Sequence, residues 1–275
     1  MKLGFSNIAW STENDDAVGR FLERRGISSI DIALSKYFPD IHQTTSADMQ
    51  RLIDFWAQYG ISIYGIQSLL FGTDGLNLFA SDESRQAMID HLKRVIELSS
   101  QLGARRLVFG SPKNRDASGI EKETADRIAT GFFQNLAKIL EGTDIVVCLE
   151  PNPTIYHCNY LIDAASTYEL VKKVDRSSIG MQADFGAMLA NGEDCEEVFR
   201  NYGDAIRYCH ISEPYLTAMN PEHLDAHRKY AEVISNQYKG EVITVEMVNL
   251  DKPGQDALWE SMQAVLDIYL KCQTR

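Results

Sequence analysis

Eight times along this chain of 275 residues a short apolar run gives way to a longer segment whose apolar residues recur at helical spacing. The runs at 3–9, 27–33, 61–67, 106–109, 145–149, 179–183, 206–211 and 242–247 read as strands. The segments at 15–25, 46–59, 81–102, 120–140, 164–174, 195–201, 226–238 and 255–270 read as helices. Ser46 and Asp48 supply a cap and a first-turn acid for the second helix, Ser81 opens the third, and Gly103 stops it. Strands that alternate with helices run parallel and join by right-handed crossovers. Eight such units in a chain of this size close naturally into a (β/α)8 barrel, the TIM-barrel architecture, as a single α/β domain over 1–275. An open doubly wound sheet would announce itself by a glycine-rich turn after its first strand. Here Ser11-Thr12-Glu13 follows that strand, without the glycine fingerprint. No Pro/Ser-rich linker or low-complexity tract divides the chain.

Charge and cysteine usage narrow the setting. The formal net charge is −12, from 27 basic and 39 acidic residues. That disfavours a nucleic-acid partner, which normally meets a basic face. Cys148, Cys158, Cys195, Cys209 and Cys272 are odd in number and form no C-x-x-C pair, which predicts reduced thiols in a reducing compartment. The first apolar run is followed at once by Glu13, Asp15 and Asp16, too soon for a secretory signal. No stretch approaches the ~20 apolar residues of a membrane span. The expected setting is cytoplasmic, with no membrane and no nucleic-acid partner. There is also no Walker-type phosphate loop, nucleophile elbow or H-E-x-x-H pair.

The last four strands end on side chains that bind metals: Val-Val-Cys-Leu-Glu150, Gly-Met-Gln-Ala-Asp184, Arg-Tyr-Cys-His210 and Ile-Thr-Val-Glu246. The candidates are spaced by 34, 26 and 36 residues, about one strand-plus-helix unit each. In a closed barrel the C-terminal ends of the strands form one rim, where barrel enzymes place their sites. A single acid at a strand end is commonly a cap for the following helix. Four successive strand ends carrying Glu, Asp, His and Glu point instead to one divalent cation. Carboxylate oxygens with one imidazole nitrogen suit Mn²⁺, Mg²⁺, Co²⁺ or Zn²⁺. Such a cation polarises a carbonyl. With Glu150 and Glu246 as an acid/base pair, one glutamate removes a carbon-bound proton and the other returns it. The period of two along a strand directs Cys148, Gln182, Tyr208 and Thr244 inward with their respective candidates.

These ligands in this order, together with Ser-Asn-Ile-Ala-Trp10 at the start, make the whole chain resemble the xylose isomerase-like barrel superfamily. The likeness is to its sugar (phosphate) isomerase/epimerase branch, of the D-tagatose 3-epimerase and hydroxypyruvate isomerase type. The resemblance implies metal ligation by Glu150, Asp184, His210 and Glu246. It also places Gln182 at a substrate-facing position and likens His-Ile-Ser-Glu213 to the H-x-x-E turn of the epimerases, making Glu213 a substrate-binding candidate. It implies a small-molecule substrate, and a homo-oligomer, dimer or tetramer, as in many relatives. Three positions depart from the epimerase pattern. Ala187 stands where a histidine is expected, Tyr156 in place of a glutamate and Leu216 in place of an arginine. All three handle substrate, which argues against free-ketose 3-epimerisation as the specific activity.

The expected function is therefore a metal-dependent isomerase or epimerase of a small hydroxy-carbonyl compound: a sugar, sugar phosphate or keto acid. The alternatives are a metal-dependent dehydratase, by loss of a β-hydroxyl from the same intermediate, and a non-catalytic metal-binding barrel. The apurinic endonuclease branch is disfavoured by Ala187 and by the net charge. Lys113 and Arg115, after the fourth strand, are candidates to hold a substrate carboxylate or phosphate, weighed against a solvated loop. His157, after the fifth, is a candidate substrate-binding residue or acid, weighed against a plain surface histidine. Trp10 and Phe71 fall near strand ends as candidate pocket walls, and Gln67 ends the third strand within reach of substrate.

Overall fold

The computed structural model describes residues 1–248 and 257–270. Its strands are β1 (Lys2–Ser6), β2 (Ser29–Ala33), β3 (Ser62–Gln67), β4 (Arg106–Phe109), β5 (Val146–Leu149), β6 (Ile179–Asp184), β7 (Ile206–Ile211) and β8 (Val242–Val245). They lie side by side in chain order, all parallel. β8 pairs back onto β1, from Lys2 opposite Val242 to Phe5 opposite Val245, so the sheet is a closed barrel without an edge. The helices are α1 (Asp15–Arg24), α2 (Ser46–Ala57), α3 (Asp82–Leu102), α4 (Lys122–Ile139), α5 (Ala164–Val174), α6 (Phe185–Asn191), α7 (Cys195–Tyr202), α8 (Leu224–Gln237) and α9 (Ala257–Tyr269). The first two residues of the expected last helix, 255 and 256, and Cys272 lie outside the described residues. Among the described residues no helix is long and apolar enough to cross a membrane.

The expected punctuation is largely present, with shifts that local hydrogen bonding explains. Ser81 caps α3 by accepting from the Ser84 amide, and Gly103 ends it at φ +77°, in the left-handed region. At α2 the cap is Thr45, one residue before the expected Ser46. Thr45 and Asp48 bond each other's backbone amides as a capping box. The first strand stops at Ser6 rather than running to residue 9, because the Ser6 hydroxyl accepts from the Ile8 amide and starts a tight 3-10 turn. That turn buries Asn7, whose side-chain oxygen accepts from the Ala33 amide at 2.9 Å and ties β1 to the end of β2. Helix α6 lies where a loop was expected. It begins directly at the end of β6, with Asp184 as its N-cap, and closes at Gly192.

Two apolar clusters follow from the alternation of side chains across the strands. The larger packs outward-facing strand residues such as Phe5, Ile30 and Phe109 against Trp56, Phe133, Ile234 and Leu266 of the helices. The smaller fills the barrel interior with Tyr64, Val108, Cys148, Tyr208 and Val242. This plug closes the barrel below its C-terminal rim, so the polar side chains above it stand on a packed floor.

Candidate metal centre

Backbone pairing continues past two strands and carries two glutamates to the rim. The Glu150 amide bonds the Phe109 carbonyl at 3.1 Å, and the Glu246 amide bonds that of Ile211 at 2.8 Å, so each glutamate extends its strand by one residue. Asp184 is the last residue of β6 and lies opposite His210 of β7. An irregularity of register between Met181 and Gln182 precedes this pair and re-aims the end of β6. Glu150, Asp184, His210 and Glu246 each offer a ligand atom, and the four atoms lie within 4.8 Å of one another.

Each member is held by a neighbour. One Asp184 oxygen accepts from the Ala187 amide and the other from the Ser212 hydroxyl, both at 2.7 Å. Asp184 thus caps α6 while lying in the rim cluster. Gln67 donates from Nε2 to Glu246 Oε1 at 2.8 Å. Asn152 donates to Glu150 Oε2 at 3.1 Å and to the Gly110 carbonyl at 2.6 Å. A Cβ at residue 110 would lie 1.8 Å from Glu150 Oε2, so glycine there makes the space that the carboxylate occupies.

Beneath this group lies Asp31, a fully buried residue of β2 that the sequence reading passed over. The Tyr208 hydroxyl is 2.6 and 2.8 Å from its two oxygens, and Thr244 donates to it at 3.2 Å. Residue 65 on β3 is glycine because a Cβ there would fall 2.4 Å from the Asp31 carboxylate. Its signal in the sequence was a lone acid inside an otherwise apolar strand, Ser-Ile-Asp-Ile-Ala, all of it buried. Asp31 also accepts from His210 Nε2 at 3.3 Å. With the proton on Nε2, the Nδ1 lone pair faces Glu246 Oε2 at 3.2 Å.

Two lone pairs at that distance need a proton or a cation between them, and the surrounding charge says the same. Burial, and then the Glu246 and Asp184 carboxylates, push Glu150 up to about 8. Burial and Glu246 push Asp184 up to about 6. Burial opposes a charged His210, yet the Glu246 and Asp31 carboxylates outweigh it and hold the ring well above the ordinary histidine value. At this spacing two ionised carboxylates repel by on the order of 3 kcal/mol even at a protein-like dielectric. A divalent cation offsets that repulsion, and the three carboxylates with one imidazole are a donor set that suits it.

A cavity of about 220 Å³ opens beside the group. Glu150, Glu246, Gln67 and Ser111 line its polar side, and Leu69, Leu70 and Val108 its apolar side. Phe71 lies at the mouth as expected, 73% exposed. Trp10 does not, being buried with its indole N–H on Asp15. Gln182 is fully buried, and neither polar atom of its side chain has a hydrogen-bond partner among the described residues.

The other sequence candidates are placed apart from this cavity lining. Lys113 is exposed and pairs with Asp74 at 3.2 Å. Arg115 is fully buried and donates to the Glu150 carbonyl at 2.8 Å, holding the end of β5. His157 is exposed, at φ +60°. Glu213 is buried and engaged by His223 at 2.6 Å, His227 at 2.9 Å and the Asn220 amide at 2.9 Å. Burial raises this carboxyl, but the two histidines prevail and hold it below its ordinary value. Tyr156, one of the departures from the epimerase pattern, accepts from the Tyr215 amide at 2.8 Å and so ties the loops after β5 and β7 together.

No curated protein sequence matches the chain significantly. Several solved structures share its fold. A D-psicose 3-epimerase from Clostridium cellulolyticum H10, solved with D-tagatose, superposes with a TM-score of 0.75 at 18% identity, over 99% of each chain. An L-ribulose 3-epimerase superposes at 0.76 with 15% identity, over 100% of this chain and 95% of that one. The IOLI protein, solved with a zinc atom, superposes at 0.73 with 18% identity over the full length of both. At these identities the likeness is one of fold. Residues 20–266 match a family in their own right, and on that match the chain belongs to the xylose isomerase-like TIM barrel family.

Proposed function

We propose that this protein is a divalent-metal-dependent isomerase or epimerase of a small hydroxy-carbonyl compound, working by proton transfer through an enediolate. The observation that carries the reading is that Glu150 and Glu246 both line one cavity while sharing a cluster with Asp184 and His210. Those four residues would hold Mn²⁺, Mg²⁺, Co²⁺ or Zn²⁺. Such a cation supplies Lewis-acid polarisation of a carbonyl oxygen.

The rest falls to the chain itself. Gln67 fixes one oxygen of Glu246, leaving the other toward His210. Asn152 and the Gly110 backbone fix Glu150. Two carboxylates held in this way can divide the work, one taking the proton from carbon and the other delivering it. The apolar wall of Leu69, Leu70 and Val108 keeps water from the carbanionic carbon. Likeness to sugar 3-epimerases supports a substrate of sugar type. Ala187, Tyr156 and Leu216 in place of the expected hydroxyl-reading side chains favour a compound other than a free ketohexose.

The test begins with calorimetric titration of chelator-stripped protein with Mn²⁺, beside Asp184→Ala. Stoichiometric binding that the variant loses supports the centre. The loaded protein is then incubated in D₂O with a panel of hydroxy-aldehydes, hydroxy-ketones and keto acids, and deuterium uptake is followed by NMR and mass. Uptake with unchanged product skeleton supports the proposal. Loss of water from the product would replace it with a dehydratase, and binding without uptake across the panel would favour a non-catalytic barrel.

A further inference from the structure

Gln67, the last residue of β3, is 2% exposed and lines the cavity beside Glu150 and Glu246. Its amide orientation is fixed by chemistry. The partner of one end is a carboxylate oxygen, which only accepts, so the group 2.8 Å from Glu246 Oε1 is the NH₂. The carbonyl end, Oε1, is shielded from solvent and has no hydrogen-bond partner among the described residues. A buried acceptor left without a donor costs the fold stability, and groups of this kind persist where a ligand completes them. An amide oxygen accepts and cannot donate, so the partner it lacks is an O–H or N–H.

We infer that Gln67 is a specificity-determining residue: Nε2 positions Glu246, and Oε1 accepts a hydrogen bond from a hydroxyl of the substrate. The inference rests on the hydroxy-carbonyl reading above and adds which part of the molecule is read, and by what. A site built around a donor hydroxyl rejects the analogue that lacks it, because the acceptor is then left buried and unpaired. Substrates carrying an ether, a methyl or a hydrogen at that position are discriminated against. Gln67 joins the two functions, since the amide that reads the hydroxyl also orients the glutamate that moves the proton.

Glycolohydroxamate and acetohydroxamate test this directly. Both present the same planar chelating group and differ by one hydroxyl. Each is titrated into Mn²⁺-loaded wild-type protein, Gln67→Met and Gln67→Leu, with thermal melts to verify folding. The wild type is expected to prefer glycolohydroxamate by about tenfold, the worth of one good hydrogen bond. Both variants should bind the two compounds within about twofold of each other, and should bind Mn²⁺ up to about tenfold more weakly through the freed Glu246. A purely structural role would weaken both hydroxamates equally and leave the ratio intact. An unchanged ratio in a folded, Mn²⁺-loaded variant overturns the role of Gln67 and leaves the metal centre standing. No preference in the wild type overturns it as well. Failure of the wild type to bind Mn²⁺ removes the metal-dependent reading, and the role of Gln67 with it.

Discussion

His210 Nε2 donates to the Asp31 carboxylate across 3.3 Å, so one ring nitrogen is held by a buried acid and the other is turned to Glu246 at the rim, 3.2 Å away. A histidine oriented in this way by a carboxylate presents its remaining lone pair in a fixed direction and with raised basicity. Asp31→Asn keeps the shape of the side chain and removes the charge. The variant is expected to fold and to bind Mn²⁺ about 10- to 100-fold more weakly, the usual loss when such a partner is removed. Calorimetry beside circular dichroism measures both. Unchanged affinity in the folded variant would show that Asp31 does not govern the ring.

The protons stored at the rim give a second expectation, with a definite sign. Glu150 at about 8 and Asp184 at about 6 both lie above ordinary carboxylate values. The folded, metal-free chain therefore holds protons that the unfolded chain has already released. His210, held above its own ordinary value, acts in the same direction. Across the window from ordinary carboxylate values up to about 8, these groups destabilise the metal-free fold as pH rises. A cation needs the deprotonated ligands and so stabilises more at high pH. Melting temperatures with Mn²⁺ and with chelator, at about pH 5.5 and about pH 8.5, should show the larger metal-induced gain at the higher pH. An equal gain at both would mean that other groups bind the ion.

Glycine at 110 should be irreplaceable for a reason unrelated to backbone freedom. In Gly110→Ala the new methyl would meet Glu150 Oε2 at 1.8 Å and must displace it. The expected result is a folded protein whose Mn²⁺ affinity drops by about tenfold or more, comparable to losing a supporting contact of the site. Retained affinity would mean that Glu150 has another productive position.

The paired glutamates carry the kinetic prediction. With any substrate that the deuterium screen identifies, Glu246→Gln and Glu150→Gln should each slow exchange by about 10²- to 10⁴-fold, the usual contribution of a positioned acid or base. Exchange at the wild-type rate in either variant would remove that residue from the proton path.

The eight strand–helix units were legible because each strand is a short apolar run and each helix carries an apolar stripe. The cluster of Glu150, Asp184, His210 and Glu246 was legible because closure brings strand ends together whatever the loops do. Asp31 was harder to see. Its partners Tyr208 and Thr244 lie 177 and 213 residues away in sequence, and only barrel closure makes them neighbours. Helix α6 was not legible because its seven residues are too few for a helical period to show, and its cap, Asp184, is also the last residue of β6. Arg115, a candidate for a substrate anion, donates inward to the Glu150 main-chain carbonyl, a contact fixed by the tertiary structure and invisible in Lys-Asn-Arg. Glu213 is spoken for by two histidines on the following loop and helix, a pairing that the spacing of H-x-x-E does not encode.

The double duty of Asp184 explains why the rim combines two lengths of acid. Glu150 and Glu246 stand one residue beyond their strands and must reach inward, whereas Asp184 is at once the end of β6 and the start of α6. Aspartate is among the preferred residues at a helix start, its short side chain turning back to accept from the Ala187 amide, and glutamate is not among them. Lengthening this one side chain by a single methylene would therefore weaken the start of α6 as well as change the rim. Position 184 is thereby tied to its residue by architecture, and the aspartate would serve the helix whether or not a cation sits at the rim.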